Sequence, residues 1–229
     1  MNRIFITGDT HGDIDWGKLN TRSFPEQKEL TKEDYLIIAG DFGAVWTGDK
    51  SDRYFIKSYE QRNFTTLFVD GNHENHDAID AYPVTEWNGG KVHMISDTVI
   101  HLMRGQVYEI AGRTFFTMGG AQSTDKMYRK EGVSWWAREL PSDEEYDDAI
   151  KNLSRCGFKV DYIITHSAPE DYAYDHDINV ARNLNKLTKF LSSLITEHDI
   201  KYKDWYFGHY HRDRDYGKLH CVYRRIIEI

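Results

Sequence analysis

The sequence predicts an α/β fold, and two patterns along the chain indicate it. Five short runs of β-branched, aliphatic and aromatic residues recur, and their length and composition are typical of buried strands. Segments with helical spacing lie between them, which is the alternation expected of a sheet with parallel strands. The chain has 229 residues, of which 40% are hydrophobic and 29% charged, so it suits a globular domain with a substantial core. No linker or repeat interrupts it, and we expect one domain over residues 1–229.

Each predicted strand is followed by a polar residue that can bind a metal ion. The five runs cover residues 4–7, 35–39, 66–69, 162–165 and 205–207. A glycine stands at several of the junctions, as in Gly8-Asp9, Gly40-Asp41 and Gly208-His209. Because open α/β sheets build their sites at the carboxyl ends of strands, we expect these polar side chains to lie close together.

The segments between the strands predict helices and one antiparallel section. Helices are expected over residues 52–61, 74–81, 143–155 and 179–198. Ser142 and Glu145 form a capping-box pattern at the start of the third helix. The fourth helix is the longest, and its apolar face consists of Val180, Leu184, Leu187, Leu191, Leu194 and Ile195.

Residues 91–118 read as four short strands joined by tight turns. The strands cover residues 92–95, 98–103, 106–110 and 114–118. Hairpin turns are predicted at Arg104-Gly105 and at Gly112-Arg113. This stretch therefore predicts an antiparallel section within the α/β pattern.

The polar residues after the strands form one set of oxygen and nitrogen ligands. The set is Asp9, His11, Asp41, Asn72, His166, His209 and His211. Such a set, without thiolates, suits two divalent ions, with Mn²⁺ as the first expectation and Fe²⁺, Zn²⁺ or Mg²⁺ as alternatives. Seven ligands exceed one tetrahedral site, and Asp41, midway in the set, is the candidate bridge. Two ions about 3.5–4 Å apart stabilise both the attacking and the leaving oxygen in phosphoryl transfer.

Five blocks in order resemble the signature of the calcineurin-like metallophosphoesterases. They are Gly8-Asp9-Thr10-His11-Gly12, Gly40-Asp41, Gly71-Asn72-His73-Glu74, Thr165-His166 and Gly208-His209-Tyr210-His211. A Gly-Asp dipeptide alone is common, whereas five blocks in family order, each after a predicted strand, are specific. The resemblance covers nearly the whole chain. It implies a four-layer α-β-β-α sandwich, in which two mixed β-sheets pack face to face with helices outside.

The resemblance also implies a role for each residue of the blocks. The first ion would be held by Asp9, His11, Asp41 and His211, and the second by Asp41, Asn72, His166 and His209. His73 would not bind metal but would act on the leaving group as an acid or charge stabiliser, which suits a side chain that titrates near neutral pH. The implied reaction is in-line attack of metal-bridging hydroxide on phosphorus, without a covalent enzyme intermediate.

The blocks favour a hydrolase of phosphodiesters or phosphomonoesters, with a small or nucleotide-like substrate. Protein Ser/Thr phosphatases of the superfamily carry Asp-Arg-Gly after the second block, but Phe42-Gly43-Ala44 follows Asp41 here, so that branch is disfavoured and the partner of His73 stays open. The terminal Gly-His-x-His is similar to phosphodiesterases and nucleases. A nuclease acting on single-stranded or short nucleic acid is therefore the alternative. The complete ligand set disfavours a non-catalytic scaffold of the same fold.

Residues 119–140 form a candidate substrate-binding loop or cap. Arg129 is the candidate for binding phosphate, and Trp135 for stacking on a base or another ring. Trp46, shortly after Asp41, suggests the same use. In the alternative, the segment is a surface excursion whose tryptophans pack beneath it. Both interpretations stay open.

Charge and composition limit the binding partners and the cellular location that we expect. The formal net charge of −8 disfavours binding of extended duplex nucleic acid by the general surface, but not binding of a nucleotide or a short strand. Cys156 and Cys221 suggest no disulfide framework, and no signal peptide or membrane helix is indicated, so a cytoplasmic location is expected. The oligomeric state stays open. Structural roles are expected for the histidines outside the blocks, namely His76, His93, His101, His176, His198 and His220.

Overall fold

A computed structural model describes residues 2–170, 172 and 184–229. The strands are β1 (Ile4–Thr7), β2 (Tyr35–Ile38), β3 (Thr65–Phe68), β4 (Val84–Trp87), β5 (Gly90–Ser96), β6 (Val99–Leu102), β7 (Gln106–Ile110), β8 (Arg113–Met118), β9 (Tyr162–Thr165), β10 (Asp204–Phe207), β11 (Arg214–Tyr216), β12 (Leu219–Cys221) and β13 (Ile227–Glu228). The α-helices are α1 (Lys50–Glu60), α2 (His76–Asp80), α3 (Asp143–Arg155) and α4 (Lys186–Thr196). Short 3₁₀ helices cover Trp16–Leu19, Pro25–Lys28, Lys126–Tyr128 and Ala137–Glu139.

The strands form two mixed sheets. The first has the order β13-β1-β2-β3-β6-β5-β4, and the four strands from β1 to β6 in that order are parallel. The second has the order β11-β12-β10-β9-β8-β7, and its four central strands are parallel. Antiparallel strands close both edges of each sheet. All five predicted strands that precede ligand residues are therefore central parallel strands.

Three separate apolar clusters hold four layers together. Because side chains alternate along a strand, Ile4 and Ile6 of β1 face the cluster between the two sheets, whereas Phe5 faces the cluster outside the first sheet. That outer cluster also takes Tyr59 of α1, and Leu153 of α3 packs in the cluster outside the second sheet. The four-layer α-β-β-α sandwich is thereby confirmed.

One predicted hairpin is wrong. The strand before Arg104-Gly105, β6, pairs with β3 and β5, whereas the strand after it, β7, pairs with β8 in the other sheet. This turn therefore carries the chain from one sheet to the other. Which strand each of the two strands pairs with depends on long-range contacts, which the residues of the turn do not indicate. The second predicted hairpin is confirmed, since β7 and β8 pair across Ala111 and Gly112, with φ angles of 50° and 74°.

Helix α3 spans the predicted residues, and its capping box between Ser142 and Glu145 is present. Helix α4 begins at Lys186 because Asn185 caps it, accepting hydrogen bonds from two backbone amides of the first turn. At 11 residues α4 is shorter than α3 with 13, and residues 179–183 of the prediction lie outside the described residues. The buried positions of the predicted apolar face are Leu187, Leu191 and Leu194. Ile195 is 37% exposed, so its assignment to the buried face is wrong.

Two expectations from composition can be compared with the structure. Cys156 and Cys221 are both free, as the absence of a disulfide pattern predicts. Among the residues that the structure describes, no helix is long and apolar enough to cross a bilayer.

Candidate metal centre

The seven predicted ligands come together where the two sheets meet. The carboxyl ends of β1, β2 and β3 in the first sheet lie beside those of β9 and β10 in the second, and contacts join the residues that follow them. The Nε2 atom of His166, after β9, lies 3.3 Å from Oδ2 of Asp41, after β2. The Nε2 atom of His211, after β10, lies 3.0 Å from Oδ2 of Asp9, after β1. Each sheet therefore supplies part of the centre.

One group of four residues is close enough to hold a metal ion. It consists of Asp9, His11, Asp41 and His211. Each offers one ligand atom, and these atoms lie within 4.8 Å of one another. The group coincides with the set that the family resemblance implies for the first ion. The two carboxylates are buried, whereas the His211 side chain is 48% exposed, so the group opens to solvent on one side.

The residues expected at a second ion surround Asp41 on its other side. The ring of His209 lies 5.1 Å from that of His166, which contacts Asp41. Asn72 is buried, and its amide Nδ2 donates a hydrogen bond to Oγ of Ser123 at 3.2 Å. That bond leaves the Oδ1 atom of Asn72 as the group free to act as a ligand.

Unpaired buried atoms test whether these residues fit metal ions. Among the described residues, Asp9 Oδ2, Asn72 Oδ1 and His166 Nε2 are buried and have no hydrogen-bond partner. The contacts of Asp9 with His211 and of His166 with Asp41 are short, but they lack hydrogen-bond geometry. Burying polar atoms without partners is costly. Nε2 of His11 bonds to Oδ2 of Asp41 at 3.2 Å, but these three unpaired atoms converge on the same place without a hydrogen bond. That arrangement suits a shared cation, so the donor set fits divalent metal ions.

Hydrogen bonds on the far side of two histidines orient them for metal binding. The Nδ1 atom of His166 donates to the carbonyl oxygen of Ala39 at 2.8 Å, and Nδ1 of His11 donates to Oδ2 of Asp15 at 2.7 Å. Nδ1 is the donor in both hydrogen bonds because a carbonyl oxygen and a carboxylate can only accept. Each ring thereby turns Nε2, the nitrogen left for a metal ion, towards Asp41, the arrangement usual for metal-bound histidine.

The carboxylates make the centre strongly attractive to cations. Burial lowers the pKa of His166, but the nearby Asp41 carboxylate outweighs it and raises that pKa to about 10. Burial and Asp41 oppose each other in the same way at His11, where Asp41 and Asp15 raise the pKa to about 9. Burial lowers the pKa of His209 to about 4, and a charge on His166 adds to this, so His209 is a neutral ligand candidate.

Backbone strain is concentrated at the predicted ligands. Four of them have left-handed backbone angles, with φ of 45° at His11, 49° at Asp41, 67° at His209 and 50° at His211. Residues other than glycine avoid this region, and such strain often marks functional sites. Steric crowding explains a glycine in these blocks, since a Cβ atom on Gly71 would lie 2.1 Å from Oδ1 of Asp41.

His73 lies beside the ligands and faces Arg129. Its ring centroid is 5.4 Å from that of His11, and its backbone N–H donates to Oδ1 of Asp41 at 2.7 Å. The guanidinium of Arg129 places Nη1 3.2 Å from Nδ1 of His73. In turn, Arg129 donates to Asp125 Oδ2 at 2.8 Å and to the carbonyl of Ser134 at 3.1 Å. The neighbour of His73 is therefore an arginine of the 119–140 segment, not a carboxylate.

The two tryptophans proposed for substrate binding lie further from the ligands. The ring of Trp135 is covered by the Lys126 ammonium at 4.7 Å, and Trp46 packs edge-on against Trp136 at 5.4 Å. Trp136 is buried and donates its Nε1–H to Asp77 at 2.8 Å. Among the described residues, no ring contact or hydrogen bond joins Trp46 or Trp135 to the ligands.

Sequence reasoning missed two residues that support the first ligand group. Asp15 orients His11, as described above, and follows it by four residues in the chain, a spacing that could have suggested it. The hydroxyl of Tyr223 donates to Oδ1 of Asp15 at 2.8 Å, and its ring stacks on His211 at 4.8 Å. Tyr223 thus contacts His211 directly and His11 through Asp15, and no local sequence motif indicates this role.

The histidines outside the blocks take structural positions where the structure describes them. His93 and His101 are buried and stack on each other, His198 stacks on Phe158, and His220 bonds to Asp215 and Asp204. His176 lies outside the described residues.

Together, the two mixed sheets and the Asp, His and Asn cluster at their strand ends define the class of metal-dependent phosphoesterases. The family model described as calcineurin-like phosphoesterase matches residues 2–213, and the chain belongs to this family.

Two curated relatives are both debranching enzymes. The chain is 25% identical to the lariat debranching enzyme of Schizosaccharomyces pombe over 263 aligned residues, which cover 96% of this chain and 52% of that protein. It is 30% identical to lariat debranching enzyme A of Xenopus laevis over 118 residues, which cover 45% of this chain and 22% of that protein. The chain spans about half the length of the first relative and less of the second.

Proposed function

We propose that this chain is a dinuclear metal-dependent phosphoesterase that hydrolyses phosphodiesters or phosphomonoesters of small or nucleotide-like substrates. The observation that carries the proposal is the convergence of ligands from both sheets on Asp41, whose Oδ2 atom lies 3.2 Å from Nε2 of His11 and 3.3 Å from Nε2 of His166. Mn²⁺ is the first candidate, with Fe²⁺, Zn²⁺ or Mg²⁺ as alternatives. Asp9, His11 and His211 would hold one ion, Asn72, His166 and His209 the other, and Asp41 both.

The bound ions would neutralise the phosphate and lower the pKa of a water molecule so that it can attack phosphorus. His73 would serve the opposite side of the reaction, at the leaving oxygen. Nη1 of Arg129 lies 3.2 Å from Nδ1 of His73 and Nη2 lies 3.5 Å from Nε2, while burial lowers the pKa of His73. His73 would act together with Arg129 to protonate the departing oxygen or to stabilise its charge. Arg129, held by Asp125 and Ser134, would bind a phosphate oxygen beside His73.

We also propose that residues 1–229 act as one domain in which residues 119–140 form the substrate-binding segment. This segment is anchored at its base. The backbone N–H of Ser123 donates to the buried Glu139 carboxylate at 3.0 Å, and Lys126 pairs with the same carboxylate at 2.6 Å. The anchoring supports a fixed wall for substrate, with Arg129 nearest the metals and Trp135 and Trp46 further out.

A nuclease acting on single-stranded or short nucleic acid is the second candidate. The two debranching enzymes among the relatives favour it, since they are named for lariats. The terminal Gly208-His209-Tyr210-His211 block fits both candidates.

Substrate class is tested by activity of the Mn²⁺-loaded protein. The panel contains p-nitrophenyl phosphate, bis-p-nitrophenyl phosphate, cyclic nucleotides and labelled single-stranded DNA and RNA. We expect hydrolysis of the diester. Hydrolysis of the monoester alone would select a phosphatase, and cleavage of the labelled strands would select the nuclease. Inactivity on every substrate, with two Mn²⁺ ions bound, would overturn the proposal in favour of a scaffold.

The role of His73 has its own test. We expect His73→Ala to bind Mn²⁺ as the wild type does, yet to lose about 100-fold or more in turnover, as for removal of a general acid. His198→Ala, which removes a histidine stacked on Phe158, is the control and should keep full turnover. Loss of bound metal in His73→Ala would contradict the assignment.

A further inference from the structure

A cavity of about 370 Å³ lies beside the metal centre, next to the 3₁₀ helix Trp16–Leu19. It is lined by Ile14, Asp15, Gly17, Lys18, Ser23 and Arg224. Ligand pockets usually measure about 300–1,000 Å³, so this one has room for a compact group of nucleotide size. The hydrolytic machinery proposed above does not use it.

The cavity begins one side chain away from the first ligand group. Its wall residue Asp15 lies 2.7 Å from Nδ1 of His11. On the other side, Tyr223 separates His211 from Arg224, since its ring stacks on His211 and the Arg224 guanidinium lies 5.6 Å from the ring centroid. Asp15 lies behind His11, so a substrate strand would reach the cavity by leaving the metals over the exposed side of His211 and passing Tyr223 towards Arg224.

The charged groups of the lining differ in how far they are already engaged. Lys18 donates to three backbone carbonyls, at Gly8, Asp9 and Tyr223, which use all its donors. Asp15 accepts from His11 and from the Tyr223 hydroxyl. Asp213 and Asp215 pair with Arg225, whereas the exposed Arg224 guanidinium interacts with Tyr223 and, among the described residues, has no ion pair with a carboxylate. Its charge therefore remains available to an anion.

The remaining lining is suited to the rest of a nucleotide. Ile14 is 79% exposed and offers apolar surface to a base, and Ser23 offers a hydroxyl. We propose that the cavity binds the nucleotide next to the scissile phosphate in a single-stranded nucleic acid, with its phosphate on Arg224 and its base on Ile14. The proposal rests on the function proposed for the metal centre. A small diester such as bis-p-nitrophenyl phosphate has no further phosphate to reach Arg224.

Filling the cavity tests the proposal. A Cβ atom on Gly17 would meet nothing within 4 Å, so Gly17→Trp projects a large ring into the open space. The probe is fluorescein-labelled hexauridylate, and its binding is measured by anisotropy in the His73→Ala background so that it is not consumed. We expect Gly17→Trp to raise the Kd by about tenfold or more, because it removes a whole nucleotide contact. Thr21 lies in the same segment but lines a different cavity. Thr21→Trp is therefore the control and should leave the Kd unchanged.

The contribution of the Arg224 charge is tested separately, by the salt dependence of the Kd. Each phosphate contact to a single strand contributes about 0.7 to the slope of log Kd against log salt concentration. We expect Arg224→Ala to reduce the slope by about that amount. Arg214→Ala removes an exposed arginine that lies on Tyr216 and serves as the control, with the slope unchanged.

The outcomes separate the two proposals. Turnover of bis-p-nitrophenyl phosphate by Gly17→Trp with His73 intact should equal that of the wild type. Inactivity of the wild type on every substrate of the panel refutes the hydrolytic function, whereas hexauridylate binding still decides the use of the cavity. Equal Kd values for Gly17→Trp and Thr21→Trp, or no binding of hexauridylate at all, would overturn the inference.

Discussion

Side chains that do not contact the metals directly have a strong influence on this centre. Asp15 fixes the ring of His11, and Tyr223 holds Asp15 while stacking on His211. Such outer partners determine which nitrogen of a histidine faces the ion, and they raise its basicity. Arg129 has a comparable relation to His73, since its guanidinium lies 3.2 Å from that ring.

Removing Asp15 should weaken metal binding without touching a ligand. We expect Asp15→Ala to lose about 10- to 100-fold in Mn²⁺ affinity at the first ligand group, since His11 loses its orienting acceptor. Calorimetric titration of the metal-free protein measures both sites. Asp13→Ala removes an exposed carboxylate two residues earlier and should bind Mn²⁺ normally. Unchanged affinity in Asp15→Ala would show that His11 needs no such partner.

Arg129 should matter more for turnover than its neighbour Lys130. A hydrogen bond to a charged group contributes about 1.5–3 kcal/mol, so Arg129→Gln should reduce kcat/KM for bis-p-nitrophenyl phosphate by about 10- to 100-fold. Lys130 is exposed, and Lys130→Gln provides the same loss of charge one residue on. Equal kinetics for the two variants would remove Arg129 from the site.

A buried ion pair between Asp70 and Arg104 joins the end of β3 to the crossing between β6 and β7, and a backbone hydrogen bond joins the end of β3 to that of β8. The carbonyl of Asp70, after β3, accepts from the N–H of Gly120, after β8, at 2.8 Å. The Asp70 carboxylate accepts from Nε of Arg104 at 2.9 Å and contacts Nε2 of His101 at 3.2 Å. Since Arg104 also donates to the Arg138 carbonyl, the pair ties the substrate-binding segment to the loop that carries Asn72.

Breaking the ion pair between Asp70 and Arg104 should lower the stability of the fold. Both side chains are only 3% exposed, and removing one partner of a buried pair typically costs about 3–5 kcal/mol. Arg104→Met should therefore lower the free energy of unfolding in urea by that order. Arg138→Met breaks an ion pair with Asp80 in which both groups are more than 40% exposed, and should cost at most about 1 kcal/mol. Similar losses in the two variants would contradict a special role for the buried pair.

The molecule as a whole carries buried neutral histidines that couple its stability to pH. Burial lowers the pKa of His93 from 6.5 to about 4, and the neighbouring His101 adds to this; burial lowers the pKa of His76 to about 3. Both lie beside the pair of Asp70 and Arg104, on the first sheet and its helix α2. In the unfolded chain the same histidines take up protons at their ordinary pKa.

These two histidines therefore lower stability in acid, whereas Glu74, whose pKa burial raises to about 8, acts in the opposite direction. As pH falls from 6.5 towards 4, the unfolded chain protonates the two histidines and the folded chain does not, so their contribution to stability falls through this window and is recovered above it. Urea unfolding at several pH values measures the slope. His93→Gln removes one of the two groups and should flatten the dependence. A slope as steep in His93→Gln as in the wild type would exclude His93 as a cause.

The order of elements and the ligand blocks could be predicted because both are written in local patterns. Strands β1, β7 and β9 have the predicted ends, and α3 begins at its predicted cap. The strand β4 was missed because its residues are mostly exposed and lack a buried face. The two-residue strand β13 exists through its pairing with β1, which no short pattern reports.

The chain's local chemistry therefore determines which residues can bind metal, since each ligand stands next to a strand that the sequence displays. Which residues meet across the site depends on contacts between distant segments. Arg129 reaches His73 over 56 residues, and Tyr223 reaches Asp15 over 208. No periodicity extends over such separations. Those neighbours, like the crossing at Arg104-Gly105, are decided only when the two sheets pack against each other and bring their strand ends to one edge.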